Sequence, residues 1–466
     1  MGFWNFLSFK KTPDTKPEIT DDTKLSYAEK KCMNFVNFTC DDILNQMDSI
    51  AEYKYNDCYY IKDKNNLLLV LINMCFSKFD IIIKDRKNEV KLLDYIILVS
   101  KYNKLVTIIQ SMTKCCVEIS KSNVIYCFDV IFIEDAGDFY LSLNKNYTLA
   151  KIHKDYIPIL PSSFGGADYD VDVVYTYVDS ADENWKNDWS STFGIDHYDP
   201  NRYETHDELK YSLRSVNQYM PWVRRIYIVS NCNPPSWLNT NHNKIVWVDH
   251  REIIDQEYLP TFNSHVIESF LHRIKGLAEN FIYFNDDVFV NSIKHKSDFF
   301  VYKNMSINYR EPYDIAFWTD AIIGEEIGYK NAVCNVQELL FKKYSYCPRY
   351  LMQHAPHPVV KSVCYEMESL FKDSLDKTRR HQIRSKDDVN ILSFFYPHYA
   401  FIHGKSKHEP KNCKIVTPKN YKTFIKQNSD LDFFCLNAWD SQDARFVRSI
   451  TDFLNKKYKF ACEWEI

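Results

Sequence analysis

Glycine is scarce in this chain, with 9 in 466 residues, whereas its usual share is roughly 7%. This scarcity excludes collagen-like and glycine-rich low-complexity architectures. Neither a GxGxxG fingerprint nor a GxxxxGK[ST] phosphate loop occurs in the sequence. Any phosphate chemistry must therefore use side chains and metal ions in place of a glycine-rich loop.

Three further features are lacking. The 58 Lys and Arg residues do not outnumber the 62 Asp and Glu residues, which argues against a nucleic-acid partner. The 14 cysteines contain no CxxC pair, so we expect packing residues and no zinc ribbon or redox motif. The sequence also shows no signal peptide and no apolar run long enough to cross a bilayer. We therefore expect a cytoplasmic protein. The aromatic start, followed by Lys10 and Lys11, adds peripheral contact with the inner face of a membrane as an alternative.

The sequence predicts three regions. Residues 1–20 combine two prolines with many charges and are predicted to be disordered. Residues 21–160 are predicted to form a small α/β accessory unit, and a Pro-, Ser- and Gly-rich break follows. Residues 168–466 form the third region. The strand-like apolar runs of the accessory unit lie at 67–71, 81–83 and 124–133.

After the break, strand and helix patterns alternate, which predicts an α/β fold with a mostly parallel sheet and covering helices. Ligand sites of such sheets lie at the carboxyl ends of the strands. We predict a helix over residues 264–278, capped by Ser264, and another over 208–219. The predicted strands are 171–178, 225–229, 244–248 and 281–284.

Two acidic clusters follow predicted strands. Asn285, Asp286 and Asp287 come directly after strand 281–284. Adjacent carboxylates repel each other, and hard oxygen ligands suit Mg²⁺ or Mn²⁺ bridging a diphosphate, although Asp is also common in turns. Asp172 and Asp179 flank the first strand, and Asp179, at its carboxyl end, is the better candidate for a ligand contact.

Two basic clusters have more than one interpretation. His354 and His357 are candidate metal ligands or an acid/base, but for the segment 353–358 taken alone a loop with one structural and one exposed histidine is favoured. Arg379, Arg380 and Arg384 are compatible with an anion clamp, although a solvated helix face has the same pattern.

Together these segments resemble the Stealth family, whose four conserved regions occur in the same order. The matching segments are DVDVVYTYVDSAD (170–182), the long block from YSLRSVNQY to FIYFNDDVFV (211–290), HAPHPV to RRHQIRSKDDVN (354–390), and FFCLNAWDSQDA (433–444). The family includes bacterial capsule-polysaccharide phosphotransferases and the catalytic subunit of the lysosomal-enzyme N-acetylglucosamine-1-phosphotransferase. The resemblance implies that residues 168–466 are a catalytic domain with a fold like that of nucleotide-sugar transferases. It further implies transfer of a sugar-1-phosphate from a nucleotide sugar to a glycan hydroxyl, with release of a nucleoside monophosphate.

The resemblance also implies roles for individual residues. The essential family positions fall on Asp287, His354 and Arg384, and Asp286 and Asp287 would bind the metal ion. Where the family commonly has C-[IL]-N-D, this chain has Ala438 in the last position, so an acidic side chain is lost. The residues expected to bind the substrate are Asp179, Arg214, Glu268, His272, Arg273 and Asn285.

Two other functions compete with the phosphotransferase interpretation. A metal-dependent glycosyltransferase would use the same Asp286 and Asp287, attack the anomeric carbon and release UDP instead of UMP. A non-catalytic glycan-binding descendant is the third alternative, because Ala438 departs from the family pattern. The expected donor is a UDP-sugar such as UDP-GlcNAc, and the expected acceptor is a polysaccharide.

Overall fold

The computed structural model describes residues 43–466 with several gaps. The predictions for residues 1–20, for membrane contact by the first residues, for the Pro-, Ser- and Gly-rich break and for Ala438 lie outside the described residues. The gaps are 44–46, 56–57, 77–78, 86, 97–98, 122–123, 144–150, 155–168, 195–197, 199–202, 303, 316–328 and 437–443.

The N-terminal part contains a sheet in the order β1-β2-β6-β5-β3-β4, extended by β7 and β8. Its pairs are antiparallel except for the parallel pair of β2 and β6. The described strands are β1 (Tyr53–Tyr55), β2 (Cys58–Ile61), β3 (Asp80–Lys84), β4 (Glu89–Lys91), β5 (Lys114–Lys121), β6 (Val124–Ala136), β7 (Phe139–Ser142) and β8 (Lys151–His153). The described helices are α1 (Lys64–Phe76), α2 (Leu93–Ile96) and α3 (Val99–Ser111).

The strand prediction for residues 67–71 is wrong, because these residues lie within α1. The Asp63 side chain accepts hydrogen bonds from the backbone N–H groups of Asn65 and Asn66, at 2.8 and 3.2 Å, and so starts the helix. Leu67, Leu71 and Met74 are buried at helical spacing. A short apolar run does not distinguish a strand from the buried face of a helix.

A mostly parallel sheet lies at the centre of the larger part, as predicted. Its order is β11-β10-β9-β12-β17; the first four strands are parallel, and β17 is antiparallel to β12. Most strand residues are buried, as expected for parallel strands covered on both faces. The strands are β9 (Val171–Thr176), β10 (Ile226–Ser230), β11 (Ile245–Asp249), β12 (Asn280–Asn285) and β17 (His357–Val360).

Helices and two smaller sheets complete the described fold. One sheet has the order β13-β20-β19, and the other has the order β14-β15-β16 with β18 paired to β15. The strands of these two sheets are β13 (Val288–Val290), β14 (Phe300–Tyr302), β15 (Met305–Asp314), β16 (Tyr350–Met352), β18 (Ser406–Glu409), β19 (Cys413–Val416) and β20 (Phe433–Leu436). The helices are α4 (Glu183–Phe193), α5 (Glu208–Tyr219), α6 (His250–Ile253), α7 (Ser264–Glu268), α8 (Lys296–Phe299), α9 (Tyr329–Tyr344), α10 (Lys361–Leu370), α11 (Lys372–Arg379), α12 (Tyr396–Ile402), α13 (Tyr421–Lys426) and α14 (Ala444–Lys457). Short 3₁₀ turns occur at Gln256–Tyr258 and Leu271–Arg273, and a π-helical turn occurs at Ile391–Phe395.

The helix predicted over residues 264–278 is much shorter than expected. Helix α7 ends at Glu268, and its N-cap is Asn263, one residue before the predicted Ser264. The carbonyl oxygen of Ser269 accepts a hydrogen bond from Arg379 Nη2 at 3.0 Å. A continuing α-helix would offer that oxygen to the N–H of Arg273, which instead donates to Phe270 in a 3₁₀ turn.

The buried apolar side chains of the N-terminal part form a cluster separate from the cluster around the central sheet. Among the described helices, none combines the length and apolar character needed to cross a membrane.

Candidate active site

Several segments meet at the carboxyl end of β12. Its last residue, Asn285, pairs with Thr176 at the end of β9, so the two strands end level. Strand β17 starts beside the end of β12, because His357 pairs with Tyr283, and this brings the preceding loop with His354 to the same edge. The pairing of Val288 with Cys435 brings β20 there too. The fold therefore joins two of the three predicted essential residues, Asp287 and His354, at one place.

Asp287 is the centre of this group. Its Oδ2 atom lies 3.8 Å from His354 Nε2 and accepts a hydrogen bond from the Cys435 thiol at 3.1 Å. Its Oδ1 atom is buried and has no hydrogen-bond partner among the described residues. The potential ligand atoms of Asp287, His354 and Cys435 all lie within 4.8 Å of one another. An oxygen, a nitrogen and a sulfur atom thus converge on a position suited to a cation.

The neighbouring carboxyl groups add negative charge. Burial raises the pKa of Asp286 well above its usual range, and the charges of Asp287 and Glu208 raise it further. Burial also raises the pKa of Glu208, which accepts hydrogen bonds from the His206 N–H and the Thr205 hydroxyl. A bound cation would offset the repulsion between these carboxylates and favour their ionised forms. Asp286 does not belong to the group of ligand atoms around Asp287.

The charge state of His354 depends on Asp287. Burial alone would lower the pKa of His354, but the interaction with the Asp287 carboxylate outweighs it, and the net pKa is raised. Arg384 lowers this pKa and Glu268 raises it, so both charges lie close enough to affect the imidazole. Asp287 thus favours a protonated His354, and compensation of the Asp287 charge by a cation would favour the neutral ring.

Arg384 and Glu268 complete the surroundings of His354. The Nη2 atom of Arg384 donates a hydrogen bond to the Ser264 hydroxyl at 2.9 Å. Glu268 is buried, and its Oε2 atom accepts the Leu392 N–H at 3.1 Å. Burial raises the pKa of Glu268, although the charges of His265 and Arg384 oppose this effect. The third predicted essential residue, Arg384, therefore lies near the other two.

A buried carboxylate that the sequence did not single out holds the loop with Arg384. Asp388 is fully buried; its Oδ2 atom accepts hydrogen bonds from Asn263 Nδ2 at 2.8 Å and from the Ser385 N–H at 3.0 Å. The same oxygen lies 3.2 Å from His265 Nδ1, and Oδ1 lies 2.7 Å from His381 Nδ1. Burial opposes ionisation, but these partners outweigh it and lower the pKa of Asp388. Asp388 thus ties the start of α7 to the Arg384 loop.

Asn263 makes the same connection from the other side. Its side-chain amide donates to the backbone carbonyl oxygens of His381 and Ile383, at 3.2 and 3.3 Å. The sequence signals for these two positions were weak: an Asn before a helix, and an Asp at the end of a basic cluster. Neither signal shows that the two segments contact each other.

Three residues expected near the donor lie in other contacts. Arg214 forms a two-bond ion pair with Glu465, at 2.7 and 2.5 Å, and also donates to the Tyr458 carbonyl oxygen. His272 and Arg273 both contact Glu368, at 2.8 and 2.5 Å. The structure does not bring these side chains into the group around Asp287, and their contact with the donor stays a prediction.

The two aspartates predicted to flank the first strand have different surroundings. Asp172 is the second residue of β9; it is fully buried and bound by Arg224 through Nε at 2.9 Å and Nη2 at 2.6 Å, so it stabilises the fold. Asp179 follows the carboxyl end, where its Oδ1 atom accepts the Ala181 N–H at 2.8 Å. Only Asp179 lies at the edge of the sheet that carries Asn285 and Asp287.

Comparison with known proteins identifies the family. Residues 202–308 match the model of Stealth protein conserved region 2, and residues 353–401 match that of conserved region 3. The capsular polysaccharide phosphotransferase fcs1 of Haemophilus influenzae is 34% identical over 357 residues, covering 70% of this chain and 96% of that protein. LcbA of Aeromonas hydrophila, with the same description, is 32% identical over 349 residues, with the same coverage.

Two further similarities are more limited. The exopolysaccharide phosphotransferase SCO2592 of Streptomyces coelicolor is 35% identical over 293 residues, which cover 59% of this chain and 30% of that protein. The solved galactosyltransferase LgtC, in complex with donor and acceptor sugar analogs, has a TM-score of 0.31 and 11% identity, covering 61% of this chain and 95% of that one. The sequence similarity to fcs1 and LcbA, over nearly their full lengths, shows that the chain belongs to the Stealth family of polysaccharide phosphotransferases.

Proposed function

We propose that this enzyme transfers a hexose-1-phosphate, such as GlcNAc-1-phosphate, from a UDP-sugar to a hydroxyl group of a glycan during polysaccharide biosynthesis. The product is a phosphodiester, and UMP is released. The observation that supports the proposal is the 3.8 Å approach of Asp287 and His354 at the carboxyl edge of a parallel sheet, with Arg384 close enough to His354 to lower its pKa. A carboxylate, an imidazole and a guanidinium group in this arrangement are suited to act together on one reacting phosphate.

The residues present fit a divalent cation. Mg²⁺ is usually held by one or two carboxylates together with substrate phosphates, and the unpartnered, buried Oδ1 atom of Asp287 is suited to this. Carboxylate oxygens suit Mg²⁺ and Mn²⁺ alike, whereas the nearby imidazole of His354 and the thiol of Cys435 would add affinity for softer ions such as Zn²⁺. We propose that Asp287 holds Mg²⁺ or Mn²⁺, with Asp286 beside it. When bound, the ion neutralises charge on the donor diphosphate.

Each of the protein side chains has its own role in the remaining steps. Arg384 stabilises the equatorial oxygens of the phosphate under attack, where negative charge accumulates. His354 accepts the proton of the acceptor hydroxyl, as a general base. The acceptor oxygen forms a bond to the β-phosphorus, the bond between that phosphorus and the bridging oxygen breaks, and UMP carries away the electron pair. Glu268 orients Arg384 and His354, while Asp179 and Asn285 contact the donor.

The experiment measures which nucleotide is released from UDP-GlcNAc and related donors with Mg²⁺ or Mn²⁺ and a glycan acceptor. We expect UMP from the wild-type enzyme, and a loss of about 100-fold or more in the single variants Asp287→Asn, His354→Ala and Arg384→Ala. Release of UDP alone would favour the glycosyltransferase alternative. Unchanged turnover in the three variants would refute the site assignment, and an absence of turnover in the wild-type enzyme with every donor would favour the non-catalytic alternative.

A further inference from the structure

A polar cavity lies at the same edge of the central sheet as Asp287, beside the ends of β10 and β11. It has a volume of about 270 Å³, just below the roughly 300–1,000 Å³ of pockets that enclose a whole drug-sized ligand. Its size therefore suits one part of a nucleotide sugar. The side chains that give the polar cavity its character are Asn184, Asn187, Asn231 and His250.

His250 is the most informative residue of the polar cavity. Only 4% of this residue is exposed, and neither ring nitrogen has a hydrogen-bond partner among the described residues. Burial lowers the pKa of His250 to about 4, so its ring is neutral at pH 7 and offers one N–H donor and one acceptor nitrogen. A buried ring without partners costs free energy that a ligand in the adjacent cavity would recover.

The charged groups around the polar cavity already have hydrogen-bond partners within the protein. The Asp188 carboxylate accepts a hydrogen bond from Asn231 Nδ2 at 3.0 Å. The Asp249 carboxylate caps α6 and pairs with Arg251 through two hydrogen bonds. The cavity thus presents amides, a neutral imidazole, the hydrogen-bonded carboxylate of Asp188 and the carboxylate of Asp249, whose charge Arg251 balances. This chemistry suits an uncharged ring with hydrogen-bonding edges better than a phosphate group.

The position of the polar cavity relates it to the reaction centre. Asn231 follows β10 and His250 follows β11, which lie two and three strands from β12. With neighbouring strands about 4.8 Å apart, these residues lie about 10 and 14 Å across the sheet from the end of β12. Thr261 lines the same cavity and is followed by Asn263 and Ser264, which hold the Arg384 loop. An extended nucleotide can span this distance.

We propose that the polar cavity binds the nucleobase of the donor, with the ring of His250 and the neighbouring Asn side chains reading its hydrogen-bonding edge. The diphosphate of the same molecule then reaches Asp287 and Arg384. This inference rests on the proposed function, because it takes a nucleotide sugar as the donor. It adds a determinant of donor specificity in a segment remote from the predicted essential residues.

The test compares two probes that differ only in the nucleoside, UDP and inorganic pyrophosphate, by calorimetric titration with Mn²⁺. We expect His250→Phe to weaken UDP binding about tenfold and to leave pyrophosphate binding unchanged, whereas Asp287→Asn weakens both. His242→Phe is the matched control, because His242 precedes the amino end of β11, at the opposite edge of the sheet. Equal UDP affinity in folded His250→Phe and wild-type protein would overturn the inference.

A second measurement covers the case in which His250→Phe does not fold. In the wild-type protein, UDP should shift the imidazole NMR signals of His250, whereas pyrophosphate should not. Absence of a UDP-dependent shift, or of UDP binding altogether, would overturn the inference. Because UDP lacks the hexose that is transferred, binding through His250 does not depend on which bond of the donor breaks. Product analysis therefore tests the proposed function separately from the polar cavity.

Discussion

The contact network of Asp388 predicts a specific effect of removing one charge. In Asp388→Asn, an NH₂ group replaces one carboxylate oxygen. If it replaces Oδ2, the donors of Asn263 and Ser385 lose their acceptor; if it replaces Oδ1, His381 loses its acceptor. Hydrogen bonds to charged groups contribute about 1.5–3 kcal/mol each. Because the loop can partly relax, we expect the free energy of unfolding to fall by about 2–4 kcal/mol.

The same substitution should impair catalysis at temperatures where the protein remains folded. Asp388 holds the loop that carries Arg384, for which we propose a contact with the reacting phosphate, and a displacement of about 1 Å can cost about 100-fold in rate. We expect kcat to fall by about 10- to 100-fold, with a smaller change in KM. The assay is steady-state turnover well below the unfolding transition, together with denaturant unfolding of the same samples.

Asp387→Asn is the matched control. Asp387 precedes Asp388, but its side chain is 44% exposed and lies 3.4 Å from Lys377, which is itself exposed. An exposed pair contributes about 0–1 kcal/mol, so stability and kcat should change little. If Asp388→Asn kept the kcat of Asp387→Asn, Asp388 would not position Arg384, even if stability fell.

The acid dependence of stability offers an independent check on Asp388. The native pKa of Asp388 is lowered from an unfolded value of about 3.9. The resulting stability is therefore present above about pH 4 and is lost as the pH falls through the native pKa. Asp388→Asn should flatten this acid limb of the stability curve relative to wild type, whereas Asp387→Asn should not.

Three further predictions concern the surroundings of the site. The pKa of His354, followed by NMR, should lie above about 6.5 in the wild-type protein. It should fall in Asp287→Asn, because the carboxylate raises it; an unchanged pKa would show that the Asp287 carboxylate does not affect the imidazole. Cys435→Ser should weaken binding of the thiophilic ion Zn²⁺ about tenfold or more while Mg²⁺-supported turnover stays within about threefold; equal Zn²⁺ affinity would exclude the thiol as a ligand. Arg214→Ala should cost about 3 kcal/mol of stability by leaving the largely buried Glu465 unpaired; a rise in KM without loss of stability would instead support the predicted contact of Arg214 with the donor.

The central sheet could be predicted because each of its strands can be recognised from a short stretch of sequence. Strands buried on both faces are continuous apolar runs, and such runs mark β9 to β12. The carboxyl ends of parallel strands meet at one edge, which is why Asp179 and Asp287 could be assigned to the same side. The position of His354 and Arg384 beside Asp287 could be expected only from the family resemblance.

The missed features depend on contacts between distant segments. Cys435, expected to be a packing residue, contacts Asp287, 148 residues earlier in the chain, because β13 pairs with β20. The early end of α7 goes with a hydrogen bond from Arg379 to the carbonyl oxygen of Ser269, an oxygen that would accept a backbone N–H in a longer helix. The role of Asp388 likewise depends on Asn263 and His265, more than 120 residues earlier. Local sequence patterns contain no information about such pairs.

The most direct test of the central claim asks which bond of the donor breaks. The donor is prepared with ¹⁸O in the oxygen that joins the sugar anomeric carbon to the β-phosphorus, and both products are analysed by mass spectrometry. Transfer of sugar-1-phosphate leaves that sugar–oxygen bond intact, so the ¹⁸O should appear in the phosphodiester product and the released UMP should be unlabelled. Recovery of the ¹⁸O in released UDP, with an unlabelled glycoside as product, would contradict the account.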